Sequence, residues 1–473
     1  MSILELDVIQ DHERFRSELA SVASDGKRKW IYAKKPNGKF YLWRSILSVF
    51  LLAFLFLGPF VKIGGHQFIL LDLVERHFVL FGIPFWPNDF YLVALLALVG
   101  VVSIVLFTAT LGRIWCGWLC PQTVFLEMVF RRLEWWLEGS PQMQARRNSG
   151  PWNWDRVWRF GTKQFLYAII SFAIANTFLA YFISSDTLLK YIQNGPLLHI
   201  ELFLALIAFT TVFYLVFSRF REQACLIVCP YGRYMSALVD DNTVGVMYDH
   251  KRGEPRSKWQ KGDTRLQHDE GHCIDCYQCV TVCPTGIDIR NGNQLECVQC
   301  TGCIDACDEV MTKVGLPTGL IRYTSSAAID KREKKWLTPR IKAYLSIWVV
   351  LLGAFVALVI SRTTLDVVVL RSPGTTWTAT ADGIANFYQL QIINKTGGDL
   401  NYTLELVEPS GAKLTSLGLP ERVLSGEIMK GRFMVDLPKT LFGGAVAPGL
   451  KLNIRANGQT VKTITTTMLT PNN

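Results

Sequence analysis

Apolar residues gather into five long runs: Trp43 to Val61, Tyr91 to Thr108, Phe165 to Phe182, Leu197 to Phe217 and Tyr344 to Ile360. Each approaches the ~20 residues that a helix needs to cross a bilayer. A soluble core could supply one such run; five predict five transmembrane helices. The first 40 residues are polar and charged, so no cleavable signal peptide is expected before them. Beyond Thr364 the pattern changes from runs to alternation. Leu365 to Leu370, Asn386 to Asn394, Asn401 to Glu408, Phe433 to Leu437, Leu450 to Ala456 and Gln459 to Met468 read as strands, with Asn457-Gly458 as a hairpin turn. This spacing predicts an immunoglobulin-like β-sandwich. It contains no Cys or His and no catalytic constellation, so docking to a partner outside the membrane is the role expected of it, with simple anchoring as the alternative.

The composition agrees with a membrane protein. Half of the 473 residues are apolar and 19% are charged, below the roughly 25% usual in soluble domains. The net charge is +10, but its placement is topological. Lys and Arg number nine in residues 1–44, two in 62–90, eight in 110–164 and one in 184–196, and residues 218–342 are basic again. That alternation predicts a cytoplasmic N-terminus and a C-terminal segment outside. No basic stripe on one surface is implied, and no nucleic-acid partner is expected. The expected organisation is a cytoplasmic segment 1–42, a four-helix core 43–240, a cytoplasmic insert 241–341, a fifth helix 342–362 and an outer domain 363–473. Arg131 to Gly139 reads as an amphipathic helix that anchors at the inner interface, with Trp135 and Trp136 at headgroup depth.

All twelve cysteines lie between Cys116 and Cys307. Eight form the bacterial ferredoxin run twice: Cys273-x2-Cys276-x2-Cys279-x3-Cys283-Pro284 and Cys297-x2-Cys300-x2-Cys303-x3-Cys307. In such runs the fourth cysteine belongs to the other cluster. Cys273, Cys276, Cys279 and Cys307 are therefore assigned to one [4Fe-4S] centre, and Cys283, Cys297, Cys300 and Cys303 to a second. Zinc rarely uses this spacing, and eight intact ligands argue against a three-iron centre. So many ligands in a short insert leave little apolar core, so the insert is expected to fold around its metal. Asp275, Asp288, Asp305, Glu309 and Asp308, which replaces the proline of the first run, are expected to place negative charge near the clusters.

The other four cysteines form two C-x3-C-P motifs, Cys116/Cys120-Pro121 and Cys225/Cys229-Pro230, 109 residues apart. Each follows a hydrophobic hairpin, so the first four crossings read as a duplicated unit. Residues four apart share a helix face, so each pair is expected to present two sulfurs to one side. Arg113, Arg219, Arg221 and Arg233 crowd the motifs and are expected to favour thiolates. If the hairpins pack pseudo-symmetrically, four sulfurs converge. Zinc, Cu(I) and a redox-active dithiol each fit such a site, as does the plain reading of buried thiols as small hydrophobes. There is no C-x-x-C-H, hence no covalent haem, and none of the runs offers the facing histidines of a b-haem. His66, His77 and His199 fall in outer positions, His272 is read as a neighbour of the cluster ligands or solvent-facing, and His12, His250 and His268 need no function. Glu75 and Glu201 are candidates for a quinone or metal route.

On these motifs the chain resembles the cytochrome c oxidase accessory proteins of the CcoG, FixG and RdxA family. The resemblance spans nearly the whole chain and rests on Trp115 to Glu127, Cys225 to Arg233, the paired ferredoxin runs and Asn386 to Lys395. The membrane part also looks like the quinol-oxidising NapH-type proteins, which lack the outer sandwich. The resemblance implies assembly of a cbb3-type oxidase by a cupric reductase. Cys116, Cys120, Cys225 and Cys229 would bind or reduce copper, and the two [4Fe-4S] clusters would feed electrons. Implied partners are oxidase assembly factors or copper carriers and an unidentified cytoplasmic or quinol donor, with homodimerisation left open. Quinol-oxidising electron transfer and a non-redox assembly scaffold are the alternatives. The chain departs from the family at Val367 to Gly374, which lacks a second basic residue after Leu370-Arg371.

Overall fold

The computed structural model describes residues 21–470 except 23–24, 26, 73–76, 86–88, 260–269, 332–336, 363–364, 374–376, 381–382, 396–398, 421, 425–427, 442–448 and 457–458. Glu75, His12, His268 and the Asn457-Gly458 turn lie outside the described residues. Among the described residues, five helices are long and apolar enough to cross a membrane: Lys39–Phe60, Phe90–Leu111, Trp154–Ile183, Ile200–Phe220 and Pro339–Ile360. Most run past the apolar stretch that announces them. The third does so because Asn153 caps it, accepting from the Arg156 N–H, well before Phe165. The fifth buries none of its apolar window against protein, as expected of a helix solvated by lipid.

The chain forms two compact units. The first comprises residues 1–61 and 93–354 and holds every cysteine. The second hairpin's aromatic core stacks Phe130 on Phe217 at 4.6 Å, with Tyr167 edge-on to Phe130 at 4.6 Å. The helix Arg131–Glu138 forms as expected, but it does more than anchor. Arg131, Glu134 and Glu138 are buried, and Glu134 is paired with Arg221 and Glu138 with Lys163. Its charged face is turned into the protein because those cations await it there, while Trp136 is exposed.

In the insert, strands Gly245–Tyr248 and Ile321–Thr324 pair antiparallel beside the helix Gly302–Lys313. Cys273, Cys279 and Cys307 belong to its hydrophobic core with Val246, Ile287, Ile304, Met311 and Ile321, and Cys283, Cys297 and Cys303 pack against it. The cysteines are much of the core.

The second unit joins residues 62–92 to residues 355–473. One sheet orders Lys413–Leu417, Ile428–Pro438, Gly383–Asn394 and Leu365–Arg371; the other orders Arg422–Val423, Leu400–Glu408, Gly449–Ala456 and Gln459–Thr467. Alternate residues such as Tyr388, Leu390, Ile392, Phe433, Leu452 and Ile454 fill the space between the sheets. Sequence patterning missed Lys413–Leu417, a short edge strand that buries little, and the small strands Ile69–Asp72, His77–Leu80 and Ile83–Phe85. The segment after the first membrane helix is therefore part of this unit. Buried Asp89 pairs with Arg362 at 2.6 Å and with Lys395 at 2.7 Å. Segments 62–92 and 355–473 must then lie on one face of the membrane, which the four crossings between them, an even number, provide.

Candidate redox site

Both C-x3-C-P motifs fold by the same local device. Cys116 lies in the short helix Ile114–Trp118, and the Cys120 N–H reaches back to Trp115 O at 2.9 Å. Cys225 lies in the π-helical turn Ala224–Val228, and the Cys229 N–H reaches back to Ala224 O at 2.9 Å. Each second cysteine is extended, with φ/ψ of −63°/124° and −68°/115°, and the following proline opens a new helix. Proline excludes the helical conformation for the residue before it and suits the first helical position. The expected single helix face is therefore replaced by a helix end and a kink.

The two pairs are electrostatic neighbours. Burial pushes the Cys116 thiol up to about 12; Arg113 opposes this, and Cys120 and Cys229 add to it. Cys225 is pushed up to about 12 by burial, then by Cys120, Cys116 and Cys229. The arginines thus do not make free thiolates here, because burial outweighs them. Arg221 is committed to Glu134, Arg219 offers its carbonyl to Arg28, and the Arg233 side chain lies outside the described residues. Among the described residues no three Cys, His, Asp or Glu side chains are drawn together as one bound ion requires.

In the insert, Cys273, Cys276, Cys279 and Cys307 line one small cavity with Tyr248, Arg290 and Met311. Cys283, Cys297, Cys300 and Cys303 line another, with Cys279 at its margin. The two loops repeat in detail. Asp275 and Tyr277 have φ of 49° and 55°, and their counterparts Gln299 and Thr301, 24 positions on, have 53° and 64°. Left-handed residues flanking the middle cysteine curl both loops in the same way. Burial raises the thiols, Cys279, Cys297 and Cys307 to about 12 and Cys300 to about 11. All-sulfur donor sets of four, lining two cavities that share Cys279 at their border, fit [4Fe-4S] clusters, which spread four thiolates over four irons.

The acidic residues divide. Asp288 and Asp308 act on Cys279 and Cys307. Asp275 and Asp288 pair with Arg290, and Glu309 with Lys313. Asp305 instead caps the first membrane helix, accepting the N–H groups of Phe40 and Tyr41 at 3.1 and 2.8 Å. His272 accepts from Arg252 at 2.9 Å, and His250 stands 3.2 Å from Asp330. His199 lies against Tyr191, and Glu201 is exposed in the first turn of the fourth membrane helix.

The insert packs directly on the first motif. A Cβ on Gly117, between Cys116 and Cys120, would stand 2.5 Å from Val298 O and 2.8 Å from Gln299 O. Trp118 donates to the Tyr323 hydroxyl at 3.1 Å, and that hydroxyl to Gln299 O at 3.4 Å. Sequence reasoning missed Arg44, whose guanidinium also reaches this junction; a charge inside an apolar run was the available signal.

These features define a multi-pass membrane protein of the iron–sulfur oxidoreductase class. Family models for a 4Fe-4S binding domain, a 4Fe-4S dicluster domain and the IG-like fold at the C-terminus of FixG match residues 93–140, 220–326 and 355–471. The chain is 34% identical over 421 residues to protein RdxB of Cereibacter sphaeroides, covering 84% of this chain and 86% of that one. It is 36% identical over 363 residues to RdxA of the same organism (73% and 74% covered). With the nitrogen fixation protein FixG of Rhizobium meliloti it shares 31% identity over 412 residues (78% and 77% covered). A crystal structure of a FixG-related protein from Vibrio parahaemolyticus aligns with 23% of this chain and 99% of its own, at 15% identity and a TM-score of 0.21. The chain belongs to the FixG/RdxA/RdxB family.

Proposed function

We propose that this protein reduces Cu(II) to Cu(I) at the membrane edge, in support of assembly of a cbb3-type cytochrome c oxidase. The observation that carries the reading is the contact at Gly117. It sets the loop of the second cysteine quartet against a thiol pair that is electrostatically coupled to its duplicate. Bound by the two quartets, [4Fe-4S] clusters would supply one-electron transfer. Cys116, Cys120, Cys225 and Cys229 would take Cu(II) as substrate; each ion gains one electron, and soft sulfur favours the Cu(I) product. The N-terminal segment and insert are assigned to the cytoplasm and the sandwich to the periplasm, on the distribution of Lys and Arg. The sandwich would meet the oxidase assembly factors or copper carriers.

A quinol donor is less well served. The apolar cleft with polar groups, lined by Phe172, Asn176, Leu188, Tyr191, His199 and Leu206, lies at the far end of the second hairpin. Beyond Leu206 the helix Ile200–Phe220 runs on towards Cys225 for about 20 Å at 1.5 Å per residue.

The test is an anaerobic reaction of dithionite-reduced, desalted protein with Cu(II), followed by absorbance and EPR. Wild type is expected to lose cluster reduction in step with Cu(II). A variant with Cys116, Cys120, Cys225 and Cys229 all changed to Ser should keep its iron and react far more slowly. Equal rates would make copper an adventitious acceptor and return the quinol or scaffold reading to the front.

A further inference from the structure

Two arginines are buried where the second quartet meets the C-x3-C-P turns. Arg44, 5% exposed, donates from Nε to Gly117 O at 3.0 Å and from Nη1 to Cys300 O at 2.9 Å. Arg113, 7% exposed, donates from its two Nη atoms to Leu295 O and Gly232 O. Each planar fork therefore ties one C-x3-C-P turn to the loop bearing Cys297 and Cys300, a span that a point-like ammonium could not bridge. Among the described residues neither guanidinium has a carboxylate within ion-pair distance, although other buried arginines of this unit, Arg131, Arg221 and Arg290, do. A buried cation solvated by carbonyls alone is costly, so a counter-charge is missing. The cysteinates of the second quartet can supply it, with Cys116 sharing the charge of Arg113. Arg113 acts on Cys297, and Arg44 is the foremost opposing influence on Cys300. The first quartet is placed differently: its Arg290 is neutralised by Asp275 and Asp288, and Asp288 and Asp308 bear on its sulfurs, whereas Glu127, which bears on Cys300, acts less than Arg44 does and is itself paired with Arg131.

We infer that Arg44 and Arg113 are the counter-cations of the centre bound by Cys283, Cys297, Cys300 and Cys303. They position it on the C-x3-C-P turns and raise its reduction potential above that of the centre bound by Cys273, Cys276, Cys279 and Cys307. Positive charge favours the more negative, reduced state of a cluster, whereas the carboxylates disfavour it at the other. Electrons entering at the first quartet, whose Cys276 is exposed, would then run downhill to the membrane-edge thiols. The inference rests on the proposed cluster assignment but not on copper.

The experiment is an EPR-monitored redox titration of purified full-length protein without copper, with iron and sulfide analysis. Cys276→Ser identifies the first centre by the signal it alters. Wild type should show two midpoints, the higher belonging to the second quartet. Arg44→Gln should lower that midpoint alone, and Arg44→Lys, which keeps the charge, should restore most of it. A second-quartet midpoint equal to or below the other overturns the inference, as does an Arg44→Gln shift of both centres or of neither. Should Arg44→Gln lose iron, the wild-type order and the Arg44→Lys midpoint decide. Absence of [4Fe-4S] clusters from wild type would instead sink the cluster assignment; failed copper reduction with the expected midpoints would sink only the copper reading.

Discussion

At Gly117 a hydrogen atom stands where any other residue would drive a carbon into two peptide oxygens. Both obstacles are backbone, so neither can swing aside. Gly117→Ala should displace the Val298–Gln299 loop, lower stability by about 1–3 kcal/mol and slow Cu(II) reduction while all twelve cysteines remain. Thermal unfolding in detergent and the anaerobic copper assay would measure the two effects. Unchanged rate and stability would mean that the loop does not press on this turn. The sequence made the cysteines legible because metal ligation demands a residue type at a spacing. Arg44 and Asp305 were opaque for a different reason. Their partners, Cys300 O and the Phe40 and Tyr41 N–H groups, stand 256 to 265 positions away along the chain. No local pattern records such pairings.

At the scale of elements, the start of the first membrane helix depends on a residue of the insert. Asp305 meets two of its unsatisfied N–H groups and places a negative charge at the positive end of the helix dipole. Gly38 permits this approach, since a Cβ there would fall 2.3 Å from the Asp305 side chain. Asp305→Ala should cost about 0.5–2 kcal/mol, read as a lower melting temperature, with cluster midpoints unchanged. A shifted midpoint instead would assign Asp305 to cluster electrostatics, as its position in the sequence first suggests. The membrane helices were legible because lipid demands long apolar runs whatever packs beside them. The C-x3-C-P geometry was not, because helical spacing was extended across a Cys-Pro bond that forbids it. The strands between residues 69 and 85 were hidden for want of length: three or four residues do not establish a period.

For the whole molecule, the distribution of Lys and Arg among the connecting segments is the ground for the proposed orientation, which no single contact supplies. Protease added to spheroplasts should remove the C-terminal sandwich and spare the insert, and inverted vesicles should show the reverse. Immunoblots against tags at each end would read the outcome, and the opposite pattern would overturn the assigned orientation. The sandwich was legible from alternation, but its union with residues 62–92 was not, since ion pairing across hundreds of residues leaves no periodic trace.

That union has a consequence for how the protein is made. Asp89 leaves the ribosome long before its partners Arg362 and Lys395, which follow it by 273 and 306 residues. At the ~5–20 residues per second of bacterial synthesis, the interval is roughly 15 to 60 s. Throughout it the loop after the first membrane helix lacks these two cations, while four helices and the whole insert are synthesised behind it. The last stretch of the chain therefore closes a structure begun near the first, and a message truncated before codon 362 would strand that loop permanently unfinished.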